Sequence, residues 1–392
     1  MKTIQQVGMD CCGCGACVIA CPKSCIRMAP NEEGFLYPET DENTCIHCSR
    51  CESVCPVLHV GEHNAEDFRE AWAVTQKDSH ILQASSSGGL FTALATAILE
   101  TGGCVFGVGF TKDFRRVHCI MADKPEQLAL LRGSKYLQSE TDGGYAKVKQ
   151  QLEQGRPVLF SGTPCQVAGL RQFLGREYKN LYVIDIICHG TPSALVWQHY
   201  LDHIAGKNGQ KTVSVNYRHK QFGWHRYGLE VLFADGKRFF QEYTENSYMK
   251  VFLRDYCLRE SCYHCVVKET GSVSDLTIGD FWGVKNVLPE VENSMGVSLA
   301  LIHTEKGKQL FERTEPMVEK QRADYAAALA ANPAMTRSVR RPEARSSFFH
   351  DLTEMPWRDI ERKYAKDKIA IIIKRELFRS FVGVVYRKLR QR

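Results

Sequence analysis

The chain has 392 residues, 44% hydrophobic and 24% charged, a formal net charge of +6 and 17 cysteines. This is the composition of an ordinary soluble globular protein with room for two or three domains. No stretch reaches the ~18 consecutive apolar residues of a membrane-spanning helix. Disulfide frameworks belong to small secreted domains, whereas this long chain opens with Met-Lys-Thr-Ile-Gln-Gln and no apolar signal core. Its thiols are therefore expected to be reduced, in a cytoplasm, and used as metal ligands.

The first element in the chain is a cysteine spacing written twice. Cys11, Cys14, Cys17 and Cys21 form C-x2-C-x2-C-x3-C followed by Pro22, and Cys45, Cys48, Cys51 and Cys55 repeat it before Pro56. This run is the bacterial ferredoxin signature for paired [4Fe–4S] clusters, in which the fourth cysteine of each run ligates the other cube. The expected ligand sets are Cys11, Cys14, Cys17 and Cys55 for one cube, and Cys45, Cys48, Cys51 and Cys21 for the other. A zinc ribbon also uses paired C-x2-C, but it gives no reason for two triplets and two Cys-Pro dipeptides. Cys12 and Cys25 fall outside the spacing and read as packing thiols. Between the runs, Asn31–Gly34 reads as a turn and Phe35–Pro38 as a short strand. Residues 1–60 form a small ferredoxin-like domain, and the polar residues 61–70 a linker.

A mixed α/β domain is expected over residues 71–305. Ala71–Val74 is strand-like, and Ser85-Ser86-Ser87-Gly88-Gly89 runs into a strong helix former at Leu90–Leu99. A small-residue loop entering a helix N-terminus can hold an anion, although glycines before a helix more often make a tight turn. Cys104–Phe110 and Val117–Met121 read as paired strands. Pro125–Leu131 is a short helix leading to Gly133-Ser134-Lys135-Tyr136, a turn that offers a hydroxyl, a cation and a flexible backbone to a phosphate. Gly144–Gly155 reads as a helix.

Two strand–turn–helix units follow. Pro157–Phe160 leads into Gly162-Thr163-Pro164-Cys165, and Leu181–Cys188 into His189-Gly190-Thr191-Pro192. Thr suits an N-cap and Pro the first helical position, and sites in open α/β sheets gather beyond the carboxyl ends of strands. Residues 211–242 read as antiparallel strands around an Asp235-Gly236 turn, and Asn246–Leu258 as a helix. Val297–His303 reads as a strand. From about Lys306 the chain is expected to be helical and increasingly basic, with Arg337–Ser347 as a linker. Lys366 to Arg392 carries nine Lys/Arg and two Asp/Glu, leaving the remainder near neutral. The basic character therefore lies in an amphipathic tail suited to solvent or to peripheral contact with the inner face of a membrane. No nucleic-acid partner is expected.

Cys165, Cys188, Cys262 and Cys265 stand at turns or element ends, and together make a candidate third metal site. Spacing alone leaves zinc and a cube open there. Cys104, Cys119 and Cys257 read as core residues.

Ser86-Ser87-Gly88-Gly89, Gly133-Ser134-Lys135-Tyr136, Gly162-Thr163-Pro164-Cys165-Gln166, Cys188-His189-Gly190, Cys262-x2-Cys265 and Asp275…Gly279-Asp280-Phe281-Trp282 occur in that order. Over residues 1–305 the chain resembles the family of beta subunits of coenzyme F-420 hydrogenases and dehydrogenases, in its branch with a fused ferredoxin domain. The resemblance implies that Cys165, Cys188, Cys262 and Cys265 ligate a third [4Fe–4S] cube. It also implies FAD held by the turns at Ser86–Gly89 and Gly133–Lys135, with Gly162 and Thr163 beside it. Electrons would pass between a ferredoxin-like one-electron partner, the cubes, the FAD and an organic two-electron acceptor. That acceptor would be a deazaflavin-like coenzyme or a polysaccharide-pathway metabolite. A non-catalytic protein that only links redox partners is the alternative. His189, Lys135 and Asp280 are the candidate proton donors or acceptor ligands.

Overall fold

The computed structural model describes residues 4–59, 69–141, 143–206 and 209–367. The tail beyond Asp367, including the amphipathic stretch read as a membrane contact, lies outside them, as does most of the linker at 61–70.

The cassette contains the antiparallel pair β1 (Ile26–Pro30) and β2 (Leu36–Thr40), in register from Ile26 opposite Thr40 to Pro30 opposite Leu36. The main body is a nine-stranded mixed sheet. Its strands are β3 (Glu70–Gln76), β4 (Cys104–Phe110), β5 (Val117–Ala122), β6 (Ser139–Glu140), β7 (Val158–Gly162) and β8 (Leu181–Ile186), then three that come later in the chain. A separate three-stranded sheet intervenes, made of β9 (Thr212–His219), β10 (Gly228–Phe233) and β11 (Arg238–Glu242). β12 (Leu276–Asp280), β13 (Ser298–Ile302) and β14 (Val318–Ala323) complete the large sheet, in the order β14-β3-β13-β12-β8-β7-β4-β5-β6. The central strands β12, β8, β7 and β4 run parallel.

Alternation along these central strands sends side chains to two covered faces, as buried parallel sheets require. Val105, Leu159 and Ile184 pack with Leu90, Leu94 and Ile98 of the Leu90–Leu99 helix. Phe106, Phe160 and Val183 pack on the other face with Val167 and Leu170 of the Pro164–Leu174 helix. That helix begins as its sequence suggests, with Pro164 in its first turn and Thr163 and Gln166 forming a reciprocal capping box.

The region beyond residue 305 differs from expectation. Val318–Ala323 is a strand rather than helix, and pairs with β3 along the sheet edge. Its polar sequence, Val-Glu-Lys-Gln-Arg-Ala, suits an edge strand, which faces solvent on one side and is protected by charge. Phe348, Leu352, Trp357 and Tyr364 enter the same core cluster as Tyr200, Tyr248 and the cassette's Phe35. The expected boundary at 305 is therefore not an edge of packing, and the segment read as a linker at Arg337–Ser347 carries a buried arginine. Arg345 forms a two-pronged bond to Glu33 of the cassette (2.6 Å to each oxygen), also meets Glu260 at 3.1 Å, and donates to the Leu258 carbonyl. The Asn246 helix is shorter than expected: it is capped by Asn246 Oδ1 on the Met249 amide and spans Ser247–Leu253.

Candidate functional site

The cassette's cysteines surround two separate hollows. Cys21, Cys45, Cys48 and Cys51 line an outer one, together with Cys25, Ile46 and His47. Cys11, Cys14, Cys17 and Cys55 line an inner one, together with Cys12. The fourth cysteine of each run thus stands with the triplet of the other, because the chain between the runs folds back through β1 and β2. Cys48 is exposed, with Ile46 55% exposed beside it, so the outer hollow reaches the surface. The inner one is deeper: Cys14, Cys17 and Cys55 are buried, and burial pushes the Cys17 thiol up to about 12. Cys25, outside the spacing, lies with its sulfur 3.3 Å from that of Cys21. Among the described residues, no three His, Cys, Asp or Glu side chains converge on one point suited to a single metal ion. A cube binds each thiolate through its own iron, so its ligands stand round a hollow rather than on a point.

Cys165, Cys188, Cys262 and Cys265 come from four places in the core domain, and the fold makes them electrostatic neighbours. Burial raises the Cys188 thiol, and Cys262, Cys165 and Cys265 add to the rise. The Cys262 thiol is pushed up to about 11, again by burial first, although the Thr191 amide donates to its sulfur at 3.4 Å. The strand–turn–helix units explain the convergence: Cys165 opens a helix after β7, Cys188 follows β8, and the C-x2-C pair sits in a short turn between the Ser247–Leu253 helix and β12. Cys12 connects the two regions. It interacts with both Cys14 and Cys165, and the Cys165 thiol is raised first by Cys12 and then by burial.

Beyond the carboxyl ends of β12, β8, β7 and β4 lies a cleft partly open to solvent, with about 1450 Å³ of empty space when the solvent at its mouth is included. Gly279, Ile186, Gly162 and Val108 come from the strands, Ser86, Ser87 and Gly89 from the loop before the Leu90–Leu99 helix, and Gly133, Ser134 and Lys135 from the facing turn. Thr163, Thr191, Asp280, Cys12 and Cys165 also line it. Sites of this kind form where parallel strands end. The two small-residue turns are joined by the Ser134 amide, which donates to Ser86 Oγ at 2.8 Å.

Two cations that sequence reasoning passed over shape this wall. Arg218, 3% exposed, donates to the Ser86 carbonyl (3.3 Å) and to Asp280 Oδ1 (3.0 Å). Lys220, also 3% exposed, donates to the Ser87 carbonyl (2.7 Å), the Leu82 carbonyl (2.9 Å) and the Met295 carbonyl. In a trans peptide the N–H points opposite its C=O. Holding the Ser86 and Ser87 carbonyls against these cations therefore turns the Ser87 and Gly88 amides the other way. Among the described residues neither amide donates to a protein acceptor, so both remain able to bond an anion, with Ser87 on the cleft wall itself. The donor set fits a phosphate-bearing cofactor. Gly88 itself is a glycine for a packing reason: a Cβ there would stand 2.2 Å from the Val74 carbonyl and 2.4 Å from the Ser298 amide.

The candidate proton donors fall in three different situations. Lys135 lines the cleft, but its ammonium donates to the carbonyls of Leu131 (3.0 Å), Arg132 (3.0 Å) and Gly133 (3.2 Å). Burial pushes it down to about 7 while these acceptors favour the charged form, and its geometry is that of a brace for the turn. Asp280 also lines the cleft and accepts from Arg218 and from Trp224 Nε1 (2.6 Å), so it acts as the counter-ion of a buried guanidinium. His189 is not among the cleft-lining residues. Its Nε2 lies 2.6 Å from Asp255 Oδ1, and its ring packs edge-on against Phe252.

These features define an iron–sulfur electron-transfer protein of the oxidoreductase class, with cysteine hollows leading to a cofactor-sized cleft. Comparison with known families agrees. Residues 10–58 match the 4Fe-4S dicluster domain, while 71–142 and 155–325 match, respectively, the N-terminal and C-terminal parts of the coenzyme F420 hydrogenase/dehydrogenase beta subunit. The chain belongs to the family of coenzyme F420 hydrogenase/dehydrogenase beta subunits, with a ferredoxin-type domain fused ahead of it.

Among curated proteins, it is 24% identical over 321 residues to the F subunit of the F(420)H(2) dehydrogenase of Methanosarcina mazei, covering 79% of this chain and 83% of that one. Coenzyme F420-dependent sulfite reductase of Methanocaldococcus jannaschii is 25% identical over 196 residues, 49% of this chain and 29% of that protein. A chain of the F420-reducing [NiFe] hydrogenase complex from Methanosarcina barkeri aligns at TM-score 0.49 and 15% identity, over 75% of this chain and 97% of that one. No helix among the described residues is long and apolar enough to cross a membrane.

Proposed function

We propose that the chain is an iron–sulfur flavoprotein oxidoreductase that passes electrons between a one-electron partner and an organic two-electron acceptor, through three [4Fe–4S] sites and an FAD in the cleft. The observation that carries this reading is shared membership. Cys165 belongs both to the core thiol set and to the cleft wall, and Cys12 both to the cleft wall and to the inner hollow. Clusters exchange single electrons and a flavin exchanges them singly or in pairs, so adjacent sites of the two kinds suit a converter.

The chain's own residues would do the holding. The amides of Ser87 and Gly88 take the cofactor's phosphate charge, and Arg218 keeps that loop in place. Thr163 and Gly162, beside Cys165 on the cleft wall, would lie against the bound cofactor. The outer hollow, with exposed Cys48 and Ile46, is where a ferredoxin-like partner would dock. A deazaflavin coenzyme is the favoured acceptor because two of the curated relatives are named for F420; a polysaccharide-pathway metabolite is the other candidate. The basic stretch from Lys366 to Arg392 would add peripheral contact with an anionic membrane, which flotation with and without it tests.

A second reading, an electron-transfer component without its own substrate, draws support from the relative named as one subunit of a dehydrogenase. Anaerobic reconstitution with iron and sulfide, followed by counting, tests the first reading. About twelve irons and one FAD per chain are expected, whereas zinc on the core set and no flavin would contradict it.

A further inference from the structure

Arg259 is 1% exposed and lies where the cassette meets the core domain. Its Nε donates to the Cys11 carbonyl at 2.6 Å, where Ser261 Oγ also donates, and its Nη1 to Gln138 Oε1 at 3.3 Å. The guanidinium covers the face of Tyr37 of β2, 4.0 Å from the ring centre. Room for it depends on Gly13, at φ +72°, where a Cβ would stand 3.2 Å from Nη1 and 2.2 Å from Gln138 Nε2.

What this arginine lacks is a counter-ion. Among the described residues no carboxylate pairs with it, and its buried Nη2 has no hydrogen-bond partner. The other deeply buried arginines differ: Arg218 has Asp280, and Arg345 has Glu33 and Glu260. A buried cation without an anion is costly, and polar neighbours and one aromatic face offset only part of that. The groups able to supply negative charge are the thiols around it. Cys11 is bonded through its carbonyl; on the core side the Cys262 amide donates to the Arg259 carbonyl at 2.9 Å, and the Arg259 amide to the carbonyl of Thr191, whose own amide meets the Cys262 sulfur. The Tyr37 hydroxyl, also buried, is likewise without a partner.

We infer that Arg259 is the shared counter-charge of two iron–sulfur sites, the inner cassette site and the core set, and raises the reduction potential of both. This rests on the reading that those eight cysteines hold cubes. Each reduction adds a negative charge to a cluster, and a fixed cation beside it stabilises the reduced form. One cation placed between two sites shifts both potentials in the same direction, whereas the outer site owes it nothing.

The test is an anaerobic redox titration of reconstituted full-length protein followed by EPR, comparing wild type with Arg259→Gln. With iron content unchanged, the inner and core midpoints are expected to fall by about tenfold in the reduction equilibrium, ~59 mV for one electron, while the outer midpoint stays fixed. Should Arg259→Gln fail to accumulate, Arg259→Lys carries the test, because its shorter ammonium is expected to lower the same two midpoints by less. Full iron with all midpoints unmoved, or an equal shift at the outer site, would overturn the inference. Wild-type protein that binds no clusters would instead sink the reading beneath it.

Discussion

The cassette and the core thiol set spend the same residue in opposite ways. The cassette gathers the eight cysteines of its two runs from one stretch between Cys11 and Cys55, and its local turns place them round two hollows, one of them open to the surface. The core set takes Cys165, Cys188, Cys262 and Cys265 from separate elements, and only the folded sheet brings them together. The first region reaches the surface at Cys48 and Ile46 and can be written as a local motif. The second faces a cleft and depends on tertiary structure, so its position relative to the cofactor wall is fixed by β7, β8 and β12 rather than by spacing.

The largest effect expected from breaking this difference comes from Cys188→Ser. It should remove about four irons of about twelve and leave the cassette's clusters spectroscopically intact; iron analysis with EPR would check this. Loss of all the iron would show that the two regions assemble as one.

Arg345→Ala comes next, because it undocks the cassette from below. It leaves Glu33, Glu260 and the Leu258 carbonyl without their partner, and should cost about 3 kcal/mol of stability, read by denaturant unfolding. Asp280→Asn should weaken FAD retention about tenfold, ~1.4 kcal/mol, by uncoupling Arg218 from the loop it holds, with iron content unchanged.

A pH series sharpens the comparison further. Iron binding requires thiolates, and burial lifts the Cys262 thiol to about 11 and raises Cys265. The Cys21 thiol is lowered: burial works to raise it, but donors from Cys25, Lys23 and Ser24 outweigh that. Raising the pH from ~7 to ~9 multiplies the thiolate fraction most where protons are held most tightly, and that includes the cassette's inner site, where burial lifts Cys17 to about 12. Iron uptake at the core set and the inner site should therefore rise more steeply than uptake at the outer site, which holds the lowered Cys21. Parallel curves would contradict it. The smallest effect is expected for His189→Gln, under about twofold in turnover, because the imidazole is engaged with Asp255 and does not line the cleft.

Much of this was legible in the residues. The ferredoxin run states its own pairing, and the central strands β7 and β8 announce themselves as apolar runs; only the Thr-Pro after β7 starts a helix, since after β8 the cap is Ser193. The edge strand β14 was not legible, because a charged strand that pairs on one side only looks like a solvated helix. The buried cations were hidden for a related reason. Arg218 and Lys220 are two apart, on one side of the chain at the end of β9, but Arg-His-Lys reads as surface until the sheet is assembled. Arg259 directly precedes the Cys262 turn, a position that could have drawn notice; nothing local reveals its missing counter-ion. Lys135 and His189 show the converse. Their residue types suggested chemistry, while backbone carbonyls and Asp255 claim their polar atoms.

The central claim is that the core thiol set relays electrons between the cassette and the cleft. Rapid anaerobic mixing of a reduced ferredoxin-type donor with reconstituted protein, following the flavin's visible absorbance, tests it most directly. Wild type should show fast flavin bleaching, and Cys188→Ser, with its cassette clusters and FAD intact, should lose that phase. Bleaching at an unchanged rate in Cys188→Ser would contradict the claim.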